Sequence, residues 1–492
     1  MIACARIRVL AFDHDLFHEP AIRKPEPFMV AGRSPRKETT MSSNPHNSGT
    51  PTTPSVPVKP DIPKSLWRTP HYAAWFTADT ADVFADAMQT FALPLIVFQV
   101  SQSEFVAGAL TTAAMVTMMI LMPIGGVIVD RHDRRALMIG QGIGQAVVGA
   151  VLAICLITHT LTVPVLVVAV LALGMISGLL GASTDAILRS LIPTEHFAKA
   201  QAVREGRESA VGLTSSPVSG ALYGIVAWVP MAVSAIVSLI GAACSALLPA
   251  HGVERGTEDG ITAPDPDGAT DGSAASAASD VASSFFADFA AGWRWTLTRR
   301  TLPWIILFGA LLNISFAGLE TGAQLKLIAD GVGGLRIGLI FTGMGVCSLI
   351  GAFLAGKVAD RLPVGSTVIA ATAFNLCCFI PLIFSAGYAT ILVCLSAIGL
   401  VMPTLNAGLF GFMYGRTPED MQGRVSSVFE TLVGLLGGFA PMAAGWALQY
   451  VPGGFTVVAV VTVLFGVCGL LIAVLSPIRL IPASADWERF EV

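Results

Sequence analysis

The chain has 492 residues, of which 54% are hydrophobic and only 13% are charged. Soluble domains carry about 25% charged residues, so this composition excludes an ordinary soluble protein. With a net charge of −4, no global electrostatic field favours a nucleic acid as partner, and we expect no such partner.

The first 70 residues are polar and hold 11 of the 29 prolines. Because proline prevents regular structure, we expect residues 1–70 to form a disordered cytoplasmic tail. Met41 opens a low-complexity run inside this tail, and we interpret residues 1–40 as an over-extended reading that is not translated. No basic segment followed by a short apolar run appears, so no cleaved signal peptide is predicted.

Twelve apolar runs follow, each long enough to cross the roughly 30 Å hydrocarbon core of a bilayer as a helix. Six of them lie in residues 71–249 and six in residues 301–477. The predicted spans are 72–99, 105–129, 136–158, 162–186, 203–227, 229–249, 303–326, 334–358, 366–386, 388–413, 426–449 and 455–476. The sequence therefore predicts an all-α integral membrane protein made of two six-helix bundles.

The segments that flank the second bundle differ in character. Residues 250–283 are rich in Ala, Ser, Gly and Asp, which predicts a disordered acidic cytoplasmic linker. Residues 284–300 place aromatic side chains at helical spacing beside arginines, which favours an amphipathic helix in the membrane interface. The same pattern fits a simple lead-in to the seventh span. Residues 478–492 are expected to form a cytoplasmic C-terminal tail.

Basic residues are distributed unevenly over the two sides of this topology. Only Lys326 and Arg336 lie on the far side, and the other 27 of the 29 Lys and Arg lie in tails, in cytoplasmic loops or at the cytoplasmic ends of spans. The positive-inside rule thus predicts a multi-pass protein of the plasma membrane with both termini in the cytoplasm.

The two halves repeat in parallel. GVIVDRHDRR (126–135) follows the second span, and GKVADRLP (356–363) follows the eighth. A second series repeats a Pro, a base, a Glu and two Gly at offsets 0, 6, 12, 19 and 27. Its members are Pro193, Lys199, Glu205, Gly212 and Gly220 in one half, and Pro418, Arg424, Glu430, Gly437 and Gly445 in the other. Parallel repeats of this kind place a substrate site between the halves near the membrane midplane.

The loop GVIVDRHDRR resembles the signature between the second and third helices of the major facilitator superfamily, although that family often has Gly where this chain has Asp133. The Asp-Arg-x-Asp-Arg-Arg form, TPEDMQGRVSS (417–427) and ALPLIVF (92–98) are similar to the branch of macrolide-efflux and enterobactin-exporter proteins. The resemblance covers roughly residues 70–476. It implies the major facilitator fold and favours export, and it implies no particular substrate.

The resemblance also implies a charge network that locks one conformation. Asp130 is expected to face the N-terminus of span eleven, Arg134 or Arg135 to pair with Asp185, and Asp360 to occupy a mirrored site near the start of span five. The alternative is that the bases only anchor the chain on the cytoplasmic side. The full set implied is Gly126, Asp130, Arg131, Arg134, Arg135, Asp185, Glu205, Asp360, Arg361, Arg424 and Glu430.

Span one carries Asp79, Asp82 and Asp86 within about 60° of one another on a helix. A carboxylate at the centre of a membrane helix costs about 2.5–3.5 kcal/mol, which implies a protonated acid, a cationic partner or a wet cavity. The alternative is a later start of the span, which would leave Asp79 and Asp82 among the lipid headgroups. Further candidates for proton or substrate binding are Gln89, Asn313, Asn406 and Glu320, of which Glu320 could instead be a gate near the outer end.

These features predict a secondary transporter and not an enzyme, because no Walker motif, metal cluster or catalytic constellation stands out. No cofactor is expected. The leading hypothesis is proton-coupled efflux of small amphipathic, drug-like or macrolide-like compounds by a monomer. The alternatives are export of a siderophore or other metabolite, proton-coupled uptake, and, from other classes, a non-transporting receptor or a membrane enzyme.

Overall fold

The structure is a computed structural model that describes residues 67, 71–192, 194–249, 292–358, 362–483 and 487. The predictions for the linker 250–283, and those for nearly all of residues 1–70, lie outside these residues. The same holds for residues 284–291 of the predicted interfacial helix, although 292–297 are helical. Asp360 and Arg361 also lie outside them.

The described part of residues 71–249 forms seven helices, and the fourth predicted span is divided between two of them. The helices are α1 (Tyr72–Ser101), α2 (Glu104–Arg131), α3 (Arg134–Ile157), α4 (Val163–Leu180), α5 (Ser183–Leu191), α6 (Thr194–Ile225) and α7 (Val229–Ser245). Within this half α1 packs on α6 and α7, and α2 packs on α4.

Within residues 301–477, the described chain forms eight α-helices, because the tenth and eleventh predicted spans are each divided. The helices are α8 (Leu302–Ala329), α9 (Gly334–Val358), α10 (Val364–Phe384), α11 (Tyr388–Gly399), α12 (Met402–Arg416), α13 (Glu419–Gly438), α14 (Ala440–Tyr450) and α15 (Gly454–Leu475). The new helices α12 and α14 both begin with Pro at the first turn, where the missing N–H of proline costs nothing.

Ten helical segments of the described chain are long and apolar enough to cross a membrane, and the described residues contain no strand. The two other predicted spans are also helical. They are α6, which carries charge in its first half, and the apolar α7 of 17 residues. Large apolar side chains such as Ile225, Phe384 and Leu475 are more than two-thirds exposed, as expected where the surroundings are lipid. The prediction of an all-α integral membrane fold is confirmed.

Two helix pairs form the most extensive contacts between the halves: α6 packs along α9, and α2 packs along α14. We call the end of the molecule with the connections 131–134 and 416–419 the proximal end, and the end with 101–104, 225–229 and 450–454 the distal end. The closest backbone approaches in both pairs lie toward the distal end. A Cβ at Gly220 would collide with the carbonyl oxygen of Gly334, and a Cβ at Gly445 with that of Glu104.

These two contacts are equivalent under the internal repeat. Gly220 and Gly445 are the glycines at offset 27 of the repeated series, and each meets the first residue of the partner helix, Gly334 in α9 or Glu104 in α2. Small residues permit such close helix packing in membranes. Gly224, four residues after Gly220, does not make such a contact, since a Cβ there would meet nothing within 4 Å.

The segment after α15 packs against the proximal end of the C-terminal half. The amide of Gly365 donates a hydrogen bond to the carbonyl of Ile481 at 3.0 Å. The ring of Trp487 lies against Gly411 and Gly415 of α12, and its Nε1 donates to the carbonyl of Pro482 at 3.1 Å. This part of the predicted C-terminal tail is therefore packed on the bundle.

The Gly220 contact can be tested with a single methyl group. We expect Gly220→Ala to force α6 and α9 apart at the distal end, because the atom it would strike belongs to backbone and cannot rotate away. The probe is Val332→Cys, at a half-buried position in the distal connection before α9, in a chain whose eight native cysteines are replaced by alanine. A maleimide should label this cysteine several-fold faster in the Gly220→Ala variant than in its parent.

Gly224→Ala is the matched control, since it adds the same methyl group to the same helix one turn away in open space. It should label at the rate of the parent. Equal labelling rates in the Gly220 and Gly224 variants would show that the glycine contact does not hold the distal end closed.

Candidate substrate cavity between the two halves

A cavity of about 960 Å³ lies between the two halves, lined by α1, α2 and α6 from one and mainly by α8, α9, α12 and α13 from the other. Near its distal limit the Nε2 of Gln324 donates a hydrogen bond to the carbonyl of Phe91 at 3.3 Å, which joins α8 to α1. The volume is large enough for a drug-sized molecule.

Two carboxylates line the cavity, one from each half. Asp86 projects from α1 and Glu320 from α8. Neither has a hydrogen-bond or ion-pair partner among the described residues. Both are therefore free to bind a proton or a positively charged group that enters the cavity.

The rest of the lining is aromatic, flexible and neutral. It includes three methionines and many Ser and Thr hydroxyls, and among the described lining residues there is no Lys, Arg or His. Two of its rings, Phe91 and Phe341, meet edge to face across the halves with centroids 5.7 Å apart. The six phenylalanines are Phe91, Phe308, Phe316, Phe341, Phe410 and Phe429.

The two asparagines predicted from the sequence also line the cavity. Asn313 lies on α8, with its amide oxygen packed against Gly437 of α13, and Asn406 lies on α12. Both side chains are exposed in the cavity. They supply neutral hydrogen-bond donors and acceptors on the same side as Glu320.

Asp79 lies outside the cavity and forms a buried ion pair. Its carboxylate bonds the Nη1 of Arg207 on α6, and the hydroxyl of Thr184 on α5 donates to it at 3.0 Å. Asp79 is 2% exposed and Arg207 is 7% exposed. The pair therefore clamps α1 to α5 and α6 within one half.

The clamp extends toward the surface. Arg204, one turn before Arg207, pairs with Asp185 and, at 3.0 Å, with Glu208. The predicted pairing of Asp185 with Arg134 or Arg135 is wrong. Arg134 and Arg135 instead donate to the carbonyls of Ala186 and Ala246, because Arg204 already neutralises Asp185.

The two other polar residues predicted in span one do not line the cavity. Asp82 is half-buried, and its Oδ1 has no hydrogen-bond partner among the described residues. Gln89 is buried, and its Nε2 donates to Ser234 of α7 at 3.3 Å. Gln89 thus joins two helices of the same half.

The remaining members of the predicted charge network lie on the proximal side. Arg131, Glu205, Arg424 and Glu430 are exposed, and the side chain of Asp130 is outside the described residues. A Cβ at Gly126 would meet nothing within 4 Å. The neighbouring Gly125 is the tight position, since a Cβ there would lie 2.7 Å from the carbonyl oxygen of Leu179.

Sequence reasoning missed Arg207 and the ring of phenylalanines. Arg207 was counted only among the bases at span ends, although its place inside the predicted span 203–227 is a signal of a buried partner. The phenylalanines come from α1, α8, α9, α12 and α13, so no spacing along the chain connects them.

Comparisons with known proteins agree with this geometry. The family model described as Major Facilitator Superfamily matches residues 77–441. No curated protein sequence matches the chain significantly.

Several solved transporters have a similar structure. A bacterial homologue of the iron transporter ferroportin, in an inward-facing state, has a TM-score of 0.61 at 15% identity and covers 84% of this chain and 99% of its own. A bacterial homologue of the human lysosomal transporter Spinster has 0.57 at 14%, covering 86% and 98%. The nucleoside transporter NupG has 0.56 at 11%, covering 82% and 98%. At 11–15% identity, this similarity shows a shared fold.

The buried ion pair leads to a stability prediction. Arg207→Met leaves the Asp79 carboxylate buried without its partner, so we expect the free energy of unfolding to fall by about 3–5 kcal/mol. Removing both charges with Asp79→Asn and Arg207→Met should restore part of this loss. The measurement is an SDS titration of the purified protein in detergent.

Arg204→Met is the control, since it removes an arginine one turn away on the same helix from a more exposed pair. It should cost about 0–1 kcal/mol. If Arg204→Met and Arg207→Met cost the same, or if the double variant is less stable than Arg207→Met alone, the clamp is not what holds α1 to α6.

Proposed function

The chain belongs to the Major Facilitator Superfamily, and we propose that it exports small amphipathic compounds in exchange for protons by alternating access. It is a multi-pass membrane transporter. The single observation that carries the proposal is the cavity between the halves, which combines a largely apolar lining with unpartnered carboxylates.

The cavity has the features that alternating access needs. Its walls come from both halves, so a movement of one half against the other changes which side it faces. The glycine contacts of Gly220 and Gly445 close it on the distal side. If both termini are cytoplasmic, as we propose from the basic residues, this is an inward-facing arrangement of a monomer in the plasma membrane.

Proton coupling is supported by the position of Asp86. It is the only titratable residue among those that the N-terminal half contributes to the lining. One proton that enters the cell across 100 mV supplies about 2.3 kcal/mol, which is enough to drive export of substrate against a modest concentration gradient. Asp86 would take up this proton and release it as the cavity changes sides.

The direction of transport is supported only by the resemblance to macrolide-efflux and enterobactin-exporter proteins. Export of a siderophore and proton-coupled uptake are the alternatives that an assay must separate. Two of the solved neighbours are named for different solutes, iron and nucleosides. All three are at most 15% identical to this chain, so they support the fold and no substrate.

The conformational charge network remains part of the proposal. Asp130, Arg131 and Glu430 would regulate closure of the proximal side, which lies beyond the contact of α2 with α13 at Met119 and Gly434 near the middle of both spans. Asp360 and Arg361 would do the same at the equivalent loop of the other half. Asp79 we assign to the internal clamp and not to proton transfer.

The coupling role of Asp86 can be tested in everted vesicles with a panel of macrolides, dyes and siderophores, with and without a pH gradient. We expect Asp86→Asn to abolish gradient-driven transport, because an amide cannot take up a proton at this position. Exchange of labelled for unlabelled substrate at equal pH should continue at saturating substrate concentrations, since it needs no net proton movement.

Asp330→Asn serves as the control, because it removes a carboxylate that lies in the distal connection and pairs with Lys326 outside the cavity. It should transport as the parent does. Parental rates from Asp86→Asn in every gradient-driven assay would refute the coupling role.

A further inference from the structure

The ionisable side chains in the described lining of the cavity are all of one sign. Its two ionisable residues, Asp86 and Glu320, are both acidic, and the described lining includes no basic side chain. An ionised carboxylate beside an apolar surface is costly unless a positive group approaches it. A ligand with a positive charge is therefore favoured over a neutral one, and a neutral ligand over an anion.

The two carboxylates lie at a similar depth. The hydrogen bond from Gln324 to Phe91 fixes one common level of α8 and α1. Glu320 is four residues before Gln324, about 6 Å along the helix, and Asp86 is five residues before Phe91, about 7.5 Å. Because α1 and α8 are equivalent helices that run in the same direction, both acids lie just proximal to the contact that joins the halves.

The surrounding side chains suit a bulky cation. Phe91 and Phe316 lie within one or two turns of the carboxylates on the same helices, and the faces of aromatic rings attract positive charge. Met115, Met344 and Met402 adapt their shape to different ligands. An organic cation with apolar groups can use the charge, the rings and the methionines at once.

Two other ligand classes fit less well. An anionic siderophore would face two carboxylates with no base in the described lining to pair with. A divalent metal ion needs several protein ligands, and the described residues contain no group of three or more His, Cys, Asp or Glu that could hold one. A weakly hydrated organic cation needs no such coordination shell.

We propose that the cavity binds amphipathic organic cations, amines or quaternary ammonium-like compounds, with the positive charge held between Asp86 of one half and Glu320 of the other. The inference rests on the proposed transport function and names its substrate class. Glu320 is then a binding residue and not a gate. Because a proton and the cation compete for the same carboxylates, binding of one releases the other.

The test is equilibrium binding of two probes that share size and shape and differ in the sign of their charge. Tetraphenylphosphonium and tetraphenylborate are titrated by calorimetry into the purified full-length protein in detergent. We expect the cation to bind and the anion to bind at least about tenfold more weakly, which is the effect of one charge-assisted contact.

Variants test which residues hold the positive charge of the probe. Asp86→Asn and Glu320→Gln should each weaken tetraphenylphosphonium binding by about tenfold, and the double variant should lose the preference for the cation. Asp86→Glu keeps the charge and should bind the cation. Asp330→Asn removes a carboxylate outside the cavity and should bind as the parent does. Parental melting temperatures confirm that each variant is folded.

Three results would overturn the inference. One is equal affinity of the parent for both probes, and another is full cation binding by the folded double variant. The third is displacement of tetraphenylphosphonium by micromolar Mn²⁺, which would indicate a metal site. Binding is measured without a gradient, so these failures leave proton-coupled transport of a neutral compound intact. Conversely, if the parent protein binds the cation but shows no gradient-driven transport, only the coupling is refuted.

Discussion

Removing a charge from water costs several kcal/mol, and this cost determines where the carboxylates inside the membrane segments of this chain can lie. Three of these carboxylates show two solutions. Asp79 is buried against Arg207 and receives a further hydrogen bond from Thr184. Asp86 and Glu320 have no partner among the described residues and face a cavity. A buried carboxylate with a partner holds helices together, whereas one that faces a cavity remains available to a ligand or a proton.

Helix α1 shows that residue type alone does not determine the environment of a side chain. Three aspartates on one face, spaced three and four apart, occupy three environments: an ion pair, a half-buried position and a cavity wall. The difference arises from the neighbouring helices, because α5 and α6 bring Thr184 and Arg207 to the level of Asp79 only. This row of three aspartates therefore combines a structural clamp at its proximal end with a candidate binding residue seven positions further on.

Hydropathy was sufficient to predict the ten helical segments of the described chain that are long and apolar enough to cross a membrane, since crossing a bilayer depends on a sum over about 20 neighbouring residues. It could not predict the breaks before Met402 and Ala440, because a proline in an apolar run also fits a continuous kinked helix, as Pro94 does in α1. It could not separate Gly220 from Gly224 either, since only the approach of Gly334 makes the first essential. Asp86, Glu320, Asn313 and Asn406 were all named from the sequence, but their common cavity depends on long-range packing.

The contacts within and between the halves differ in kind, and the difference suits the proposed alternating access, in which the halves separate. Inside the N-terminal half, the pair of Asp79 and Arg207 would leave a buried charge if it opened, so that half is expected to move as one body. Between the halves, Gly220 and Gly445 bring backbone against backbone, supported by neutral hydrogen bonds such as that from Thr342 to the carbonyl of Leu213 at 3.2 Å. Close packing of small residues loses only weak attractions when it parts. Because the repeat places the same contact on both helix pairs, the distal end can open symmetrically, and no buried charge has to be exposed to lipid for the cavity to change sides.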